Sequence, residues 1–102
     1  MLFRTDDRDF VRNCYEQELG EIISYDQKHN TELLLTLERF FEENCNASHT
    51  ADKLYIHRNT MNNRLRLIFD ILGHDCSDPE KRFAAENAIY CYKYLNMQEE
   101  QK

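Results

Sequence analysis

A run of polar residues between positions 57 and 66 has the side-chain chemistry that reads nucleic-acid bases. An arginine guanidinium can pair with O6 and N7 of guanine, and an asparagine amide can pair with N6 and N7 of adenine. Five side chains of these two types occur in the run: Arg58, Asn59, Asn62, Asn63 and Arg66. Because asparagine is a poor helix former, three of them in a helical stretch indicate a role other than helix stability.

Other residues, within this run and before it, suit the sugar–phosphate backbone of a duplex. His57 stands where the N-cap of a helix is expected, and Thr60 can bind phosphate together with the free N–H groups of the first helical turn. Ser48 and Thr50, on the preceding helix, are placed to contact the same backbone. His57 could alternatively titrate near neutral pH, but a cap or a phosphate contact is the preferred reading.

The charge of the chain is unevenly distributed. The formal net charge is −6, which by itself argues against nucleic acid because phosphate neutralisation supplies most non-specific affinity. Residues 1–46 carry 5 basic and 11 acidic side chains, and residues 70–102 carry 4 and 7. Residues 47–69, in contrast, carry 4 basic side chains and 1 acidic one. Only residues 47–69 could therefore face DNA. In any other orientation of the protein, the acidic segments would be repelled by the phosphates of the duplex.

Two helices joined by a tight turn must hold these residues. The sequence predicts a short helix over residues 48–54, a turn at 55–57, and a longer helix over 58–72 that stops at Gly73. The longer helix has one apolar stripe at helical spacing, formed by Met61, Leu65, Ile68 and Leu72. Residues 47–72 are therefore predicted to form a helix-turn-helix.

Helices are also predicted on both sides of the helix-turn-helix. Residues 6–25 indicate a helix capped by Asp6 or Asp7, in which Gly20 is a point where the helix could break, followed by a polar connector over residues 25–30. Its apolar positions are Phe10, Cys14, Leu19, Ile22 and Ile23.

A strongly amphipathic helix then follows a cap at Asn30 or Thr31, with apolar positions at Leu33, Leu34, Leu37, Phe40 and Phe41. A last helix is predicted over residues 79–96, with Asp78 as its N-cap and Pro79 at its first position. It offers three large apolar side chains for burial, Phe83, Ile89 and Leu95, and three small ones that allow close approach: Ala84, Ala85 and Ala88. Tyr90, Tyr92 and Tyr94 suit core and rim packing or a dimer face, and stacking on bases is the weaker alternative.

The overall prediction is an all-α fold, a small helical bundle of about five helices that contains a helix-turn-helix. Glycine (2) and proline (1) are too scarce for a set of β-hairpins. The expected organisation is an N-terminal helix and connector over residues 1–29, a helix-turn-helix domain over 30–97, and a frayed tail over 98–102.

Several other classes of function are disfavoured. The four cysteines and four histidines lack the close spacing of a zinc site, so neither a metal nor a cofactor is expected. The carboxylates of residues 38–43 lie on one helix face without a nucleophile or phosphate loop, and no enzymatic activity is predicted. The chain shows neither an apolar run of membrane-spanning length nor a signal-peptide core. We expect a cytoplasmic protein with reduced thiols.

The sequence resembles the C-terminal helix-turn-helix of the PucR/CdaR-like regulators of purine catabolism and sugar-diacid metabolism. The resemblance extends from about Phe10 to Leu95, and its most specific part is the run from His57 to Thr60. It also includes Thr50-Ala51 and Leu54-x-Ile-x-Arg-x-Thr60, which are similar to Fis-type helix-turn-helix proteins in general. Six residues match the positions that contact DNA in the family: Ser48, Thr50, His57, Arg58, Asn59 and Thr60.

The resemblance implies an output domain that binds operator DNA, usually as a dimer, under the control of an upstream sensor domain. This chain would then be either a fragment of a longer regulator or a stand-alone relative. Asn62 and Asn63 depart from the family pattern, so Asn63 inherits no role from it. The alternative function is a helical protein-interaction or dimerisation module without DNA binding, which the negative net charge and the aromatic last helix would suit.

Overall fold

Five helices form the protein in the computed structural model, which describes the backbone of residues 5–100 and the side chains of residues 9–97. The helices are α1 (Thr5–His29), α2 (Leu33–Glu42), α3 (Ala47–Leu54), α4 (Arg58–Leu72) and α5 (Pro79–Glu100). No strand occurs in residues 5–100. The all-α prediction is therefore confirmed. The frayed tail predicted at 98–102 lies outside the residues whose side chains are described, although the α5 backbone is helical to Glu100.

A single core holds the five helices together. The α1 helix packs along α5 and also contacts α2 and α4, while α3 packs against α2 and α4. The predicted apolar stripe of α4 supplies Met61, Leu65 and Ile68 to this core, and Leu72 packs against it. The predicted stripe of α2 meets them with buried residues that include Leu37 and Phe40. The amphipathic patterns of these two helices thus placed the core correctly.

The first helix is longer than its sequence suggested. It continues through Gly20 and through the predicted connector as far as His29, with Asn30 in a left-handed conformation directly after it. Leu19 and Ile22 are fully buried on either side of Gly20, so core packing outweighs the helix cost of about 1 kcal/mol that a glycine carries. Asp6 and Asp7 lie within this helix, and their side chains are outside the described residues.

The N-terminus of α2 is capped from α1. The two carboxylate oxygens of Asp26 accept the backbone N–H groups of Leu33 (2.8 Å) and Leu34 (3.0 Å). The Thr31 hydroxyl donates to the same carboxylate at 2.6 Å. Glu32 occupies the N-cap position but makes no side-chain cap hydrogen bond. The predicted cap at Asn30 or Thr31 is therefore wrong, because a carboxylate one helix earlier satisfies the free N–H groups.

The turn between α3 and α4 contains a strained tyrosine. Tyr55 is the C-cap of α3 and adopts a left-handed conformation with φ 58° and ψ 42°. Its N–H donates to the carbonyls of Ala51 and Asp52, which closes the helix, and its side chain is 95% exposed. For a residue with a Cβ this conformation costs about 1–2 kcal/mol, and glycine is the residue that adopts it freely.

We therefore expect Tyr55→Gly to raise the free energy of unfolding by about 0.5–1 kcal/mol, because relief of the left-handed strain exceeds the extra chain entropy of glycine. Urea denaturation followed by circular dichroism measures this change. Tyr55→Ala is the matched control, since it removes the same exposed ring but keeps a Cβ in the strained position. If both variants changed stability equally, the ring and not the backbone would be responsible.

The last helix differs from its prediction in the face that it buries. Asp78 caps it as expected by accepting the N–H of Glu80 at 3.1 Å, and the helix extends beyond residue 96 to Glu100. Ile89 and Leu95 are buried, but Phe83 is 68% exposed, so its predicted burial is wrong. Phe10 of α1, also expected to be apolar core, is 69% exposed. The small residues Ala85 and Ala88 are buried, as expected, and they allow α1 to approach closely.

The four cysteines are free thiols, of which Cys76 is buried and the other three are half-buried. Burial raises the pKa of the Cys76 thiol to about 11, and burial also raises the pKa of Cys45 and of Cys91. Cys76 is therefore protonated at neutral pH and is a poor nucleophile there. In the described part of the chain no helix is long and apolar enough to cross a membrane, and no group of three metal-binding side chains is present.

Candidate nucleic-acid interface

The candidate interface is built on the N-terminal half of α4, which is held by two well-formed helix ends. His57 is the N-cap, with φ −70° and ψ 150°, and its Nδ1 accepts the N–H of Asn59 at 3.0 Å. At the other end Gly73 has φ 84° and its N–H donates to the Phe69 carbonyl. Both the His57 cap and the Gly73 stop were predicted from the sequence, and both are confirmed.

One face of α4 is polar and exposed along its length. Asn59, Asn63, Arg66 and Asp70 follow one another at intervals of four, three and four residues, so they share one side of the helix. All four are exposed, opposite the buried stripe that contains Met61 and Ile68. We call Asn59, Asn63 and Arg66 the α4 reading stripe, because Asp70 places a negative charge at its far end.

The side chains of the α4 reading stripe do not contribute to the stability of the described part of the fold. Among residues 9–97, the side chains of Asn59, Asn63 and Arg66 make no hydrogen bond or ion pair with the rest of the protein. A polar side chain that is ordered on a helix and contributes nothing to the core is available to an external ligand. Asn62 and Thr60 are likewise exposed, on the two sides of this stripe.

The two helices of the helix-turn-helix are joined at their N-terminal ends by a polar contact. Arg58 Nη2 donates to the Ser48 hydroxyl at 3.2 Å, so these two predicted site residues are brought together. This contact holds the guanidinium beside the start of α3. The His57 cap uses the N–H of Asn59, whereas the N–H groups of Arg58 and Thr60 have no i−4 carbonyl within the helix. The end of α4 therefore suits an anion.

Thr50 occupies a different position from the one expected. Its side chain is fully buried and its hydroxyl donates to the Asn46 carbonyl at 2.7 Å. The hydroxyl is therefore not available to a phosphate, contrary to the sequence prediction. Asn46 also caps α3 through its side chain, which accepts the N–H of His49, so α3 begins at Ala47 and not at Ser48. Thr50 and Asn46 together stabilise the start of α3.

Arg64 positions α4, a role that the sequence does not reveal beyond its positive charge. Its Nη1 donates to the Thr36 hydroxyl at 3.1 Å, and that hydroxyl in turn donates to the Glu32 carbonyl at 2.8 Å. Thr36 is fully buried. This chain of hydrogen bonds fixes α4 against α2, and Phe40 and Phe69 pack beside it with ring centroids 6.0 Å apart. A threonine within the apolar stripe of α2 was the signal that a buried polar contact is present there.

The geometry defines a class: an all-α bundle whose helix-turn-helix presents an exposed, polar and basic second helix. The sequence model of the PucR C-terminal helix-turn-helix domain matches residues 33–90 of this chain. That match covers α2, α3, α4 and the first half of α5. The chain belongs to the PucR C-terminal helix-turn-helix domain family, as its resemblance indicated.

Similar proteins are found in Bacillus subtilis (strain 168). The chain is 33% identical over 81 residues to the proline-responsive transcriptional activator PutR, covering 79% of this chain and 18% of that protein. It is 43% identical over 70 residues to the purine catabolism regulatory protein, covering 69% and 13%. It is 35% identical over 69 residues to the DNA-binding transcriptional activator AdeR, covering 68% and 16%. The chain thus spans less than a fifth of each relative, and no solved structure matches it.

Proposed function

We propose that this domain binds duplex DNA in a sequence-dependent manner, as the output domain of a transcription regulator, with α4 in the major groove. The observation that carries the proposal is the α4 reading stripe, whose exposed Asn59, Asn63 and Arg66 have no partner in the described part of the chain. Family membership supports the same conclusion, as do relatives named as a proline-responsive transcriptional activator and a DNA-binding transcriptional activator.

Each residue of the interface has a proposed role. Arg66 and Arg58 would pair with guanine or a phosphate, and the amides of Asn59, Asn62 and Asn63 would read adenine. Ser48, His57 and Thr60 lie where the backbone of the duplex would pass the start of α4, and they would fix its register. Thr50 has no direct contact in this scheme, and Arg64 acts by holding α4 against α2.

The test is selection of duplexes from a random-sequence DNA pool, followed by fluorescence anisotropy on the enriched sequence. We expect enrichment of a defined motif and an affinity that falls steeply between 50 and 200 mM salt, as counterion release requires. A scrambled duplex of the same composition should bind more weakly by a factor of about 10³. Absence of both enrichment and salt-dependent binding would contradict the proposal and favour the protein-interaction module.

Two further parts of the proposal concern the sensor domain and the number of copies that bind DNA. Because the chain spans only 13–18% of its relatives, we propose that it works beside a sensor domain within the cytoplasm, where DNA is accessible. We also propose that two copies bind together. One domain has a single short reading stripe, and half-sites about one helical turn apart, roughly 34 Å, would let two domains combine their affinities.

A further inference from the structure

Arg58 is held by the protein itself, unlike the other exposed arginine and asparagine side chains of α4. Its Nη2 donates to the Ser48 hydroxyl at 3.2 Å, a contact that spans ten positions of the chain and joins α4 to α3. The other four side chains make no hydrogen bond or ion pair within residues 9–97: Asn59, Asn62, Asn63 and Arg66. Arg58 is thus the member of this set whose direction the fold already restrains.

The hydroxyl that holds Arg58 has a well-defined position. Ser48 is half-buried in the first turn of α3, and the side chain of Asn46 caps that helix. The buried Thr50 adds a hydrogen bond from its hydroxyl to the Asn46 carbonyl. On the side of α4, His57 caps the helix directly before Arg58. Both partners of the contact therefore belong to well-formed helix ends.

The partner of Arg58 is neutral, so it orients the guanidinium without neutralising its charge. A carboxylate in the place of Ser48 would form an ion pair that DNA would have to break. No acidic residue occurs from position 53 to position 69, and the first turns of α3 and α4 contain none. Because an arginine has five N–H donors, the contact with Ser48 leaves donors of the exposed guanidinium for an external acceptor.

A restraint of this kind matters most for a contact with strict geometry. Guanine presents O6 and N7 side by side, and an arginine must approach both of them in the plane of the base. A phosphate also binds the point charge of a lysine, so its contact depends less on the orientation of the donor. Arg58 is the first residue of α4, and the N-terminal residues of a recognition helix are those that contact base edges. Orienting this flexible side chain before binding reduces the entropy that is lost in the complex.

We infer that Ser48 is a positioning residue, which holds Arg58 for a bidentate contact with one guanine of the bound site. The inference rests on the proposed function and decides, within it, between guanine and phosphate for Arg58. The Ser48 hydroxyl then affects the preference at one base position of the site, through the guanidinium, and does not change the affinity for all sequences alike.

Selection from a random-sequence DNA pool, carried out in parallel with the wild type and four variants, tests the inference. We expect a guanine preference at one position, which Arg58→Ala removes with a loss of affinity of about 10- to 100-fold. Ser48→Ala should weaken the same preference and no other, with a loss of about three- to tenfold. Ser48→Thr keeps the hydroxyl and should restore the preference. Arg58→Lys keeps the charge without the bidentate geometry, so it should lose the guanine preference as Arg58→Ala does.

A double-mutant cycle, measured by fluorescence anisotropy on the wild-type duplex, isolates the contact between the two residues. In the Arg58→Ala background, Ser48→Ala should change the affinity by less than about twofold, because the group that it orients is gone. Arg66 provides the matched control cycle, since it is exposed and makes no hydrogen bond to Ser48. The effects of Ser48→Ala and Arg66→Ala on affinity should multiply. Circular dichroism should show Ser48→Ala to be as stable as the wild type, since Asn46 is the N-cap of α3.

The contact can also be measured without DNA, by nitrogen-15 relaxation of the arginine Nε–H groups. Arg58 should be more restricted than Arg66 in the free wild type, and as mobile as Arg66 in Ser48→Ala. Three results would overturn the inference: a loss of affinity in Ser48→Ala that is equal for all duplexes, a guanine preference that survives in Arg58→Lys, or multiplying effects in the Ser48 and Arg58 cycle. A wild type that selects no motif would contradict the proposed function instead, and the relaxation measurement would still test the contact.

Discussion

Replacing Arg66 by glutamate should lower the affinity of the domain for its selected duplex about 100-fold at 100 mM salt. The guanidinium lies in the middle of the exposed side of α4 and has no partner among the described residues. Its removal costs a base or phosphate contact, and the glutamate then places a negative charge against the duplex. Fluorescence anisotropy at several salt concentrations measures both the loss and the expected decrease of the salt slope by about 1–2.

Lys81→Glu is the matched control for this variant. Lys81 is exposed at the start of α5, outside the helix-turn-helix, and the substitution alters the net charge by the same amount. It should change affinity by less than about threefold if the local contact, and not total charge, determines binding. Equal losses for the two variants would show that only long-range charge matters. Thermal unfolding should be similar for both, since neither side chain is part of the core.

Asp26→Ala should lower the free energy of unfolding by about 2–3 kcal/mol, because a carboxylate that accepts two backbone N–H groups and a hydroxyl is lost. Without it the first N–H groups of α2 have no acceptor, and the junction between α1 and α2 loses its main polar contact. Chemical denaturation monitored by circular dichroism measures the change.

Glu32→Ala provides a sharp comparison, since Glu32 occupies the N-cap position of α2 without capping it. It should cost less than about 0.5 kcal/mol, mainly through the helix dipole. A result in which Glu32→Ala destabilises the domain as strongly as Asp26→Ala would show that the Asp26 hydrogen bonds are not the source of the cap.

The spacing of apolar residues predicts the fold correctly where a helix has a single apolar side. The stripes of α2 and α4, the His57 cap and the Gly73 stop follow from residue spacing and local backbone chemistry, and the structure has them as expected. The α4 reading stripe follows for the same reason, since its residues lie opposite Met61 and Ile68.

The features that sequence could not supply depend on contacts between helices. Asp26, in α1, caps the N-terminus of α2. The Thr36 hydroxyl accepts a hydrogen bond from Arg64, which lies 28 positions later in the chain. Large apolar residues are usually buried, so the sequence places Phe83 in the core, but only the packing of α5 shows that Phe83 lies on its outer side, opposite the buried alanines. Thr50 has a residue type that suits phosphate contact, and only its packing shows that its hydroxyl is already used.

The separation of charge along the chain also has a consequence for how quickly the domain finds its site. Arg58 lies at the start of α4 and Arg66 in its middle, Asp70 follows Arg66 on the same face, and the segments before and after the helix-turn-helix are acidic. In the field of a duplex such a molecule experiences a torque that turns α4 toward the groove before contact. Encounters in which the acidic segments face the duplex are repelled and end quickly. The acidic body thereby shortens each unproductive visit while the search continues.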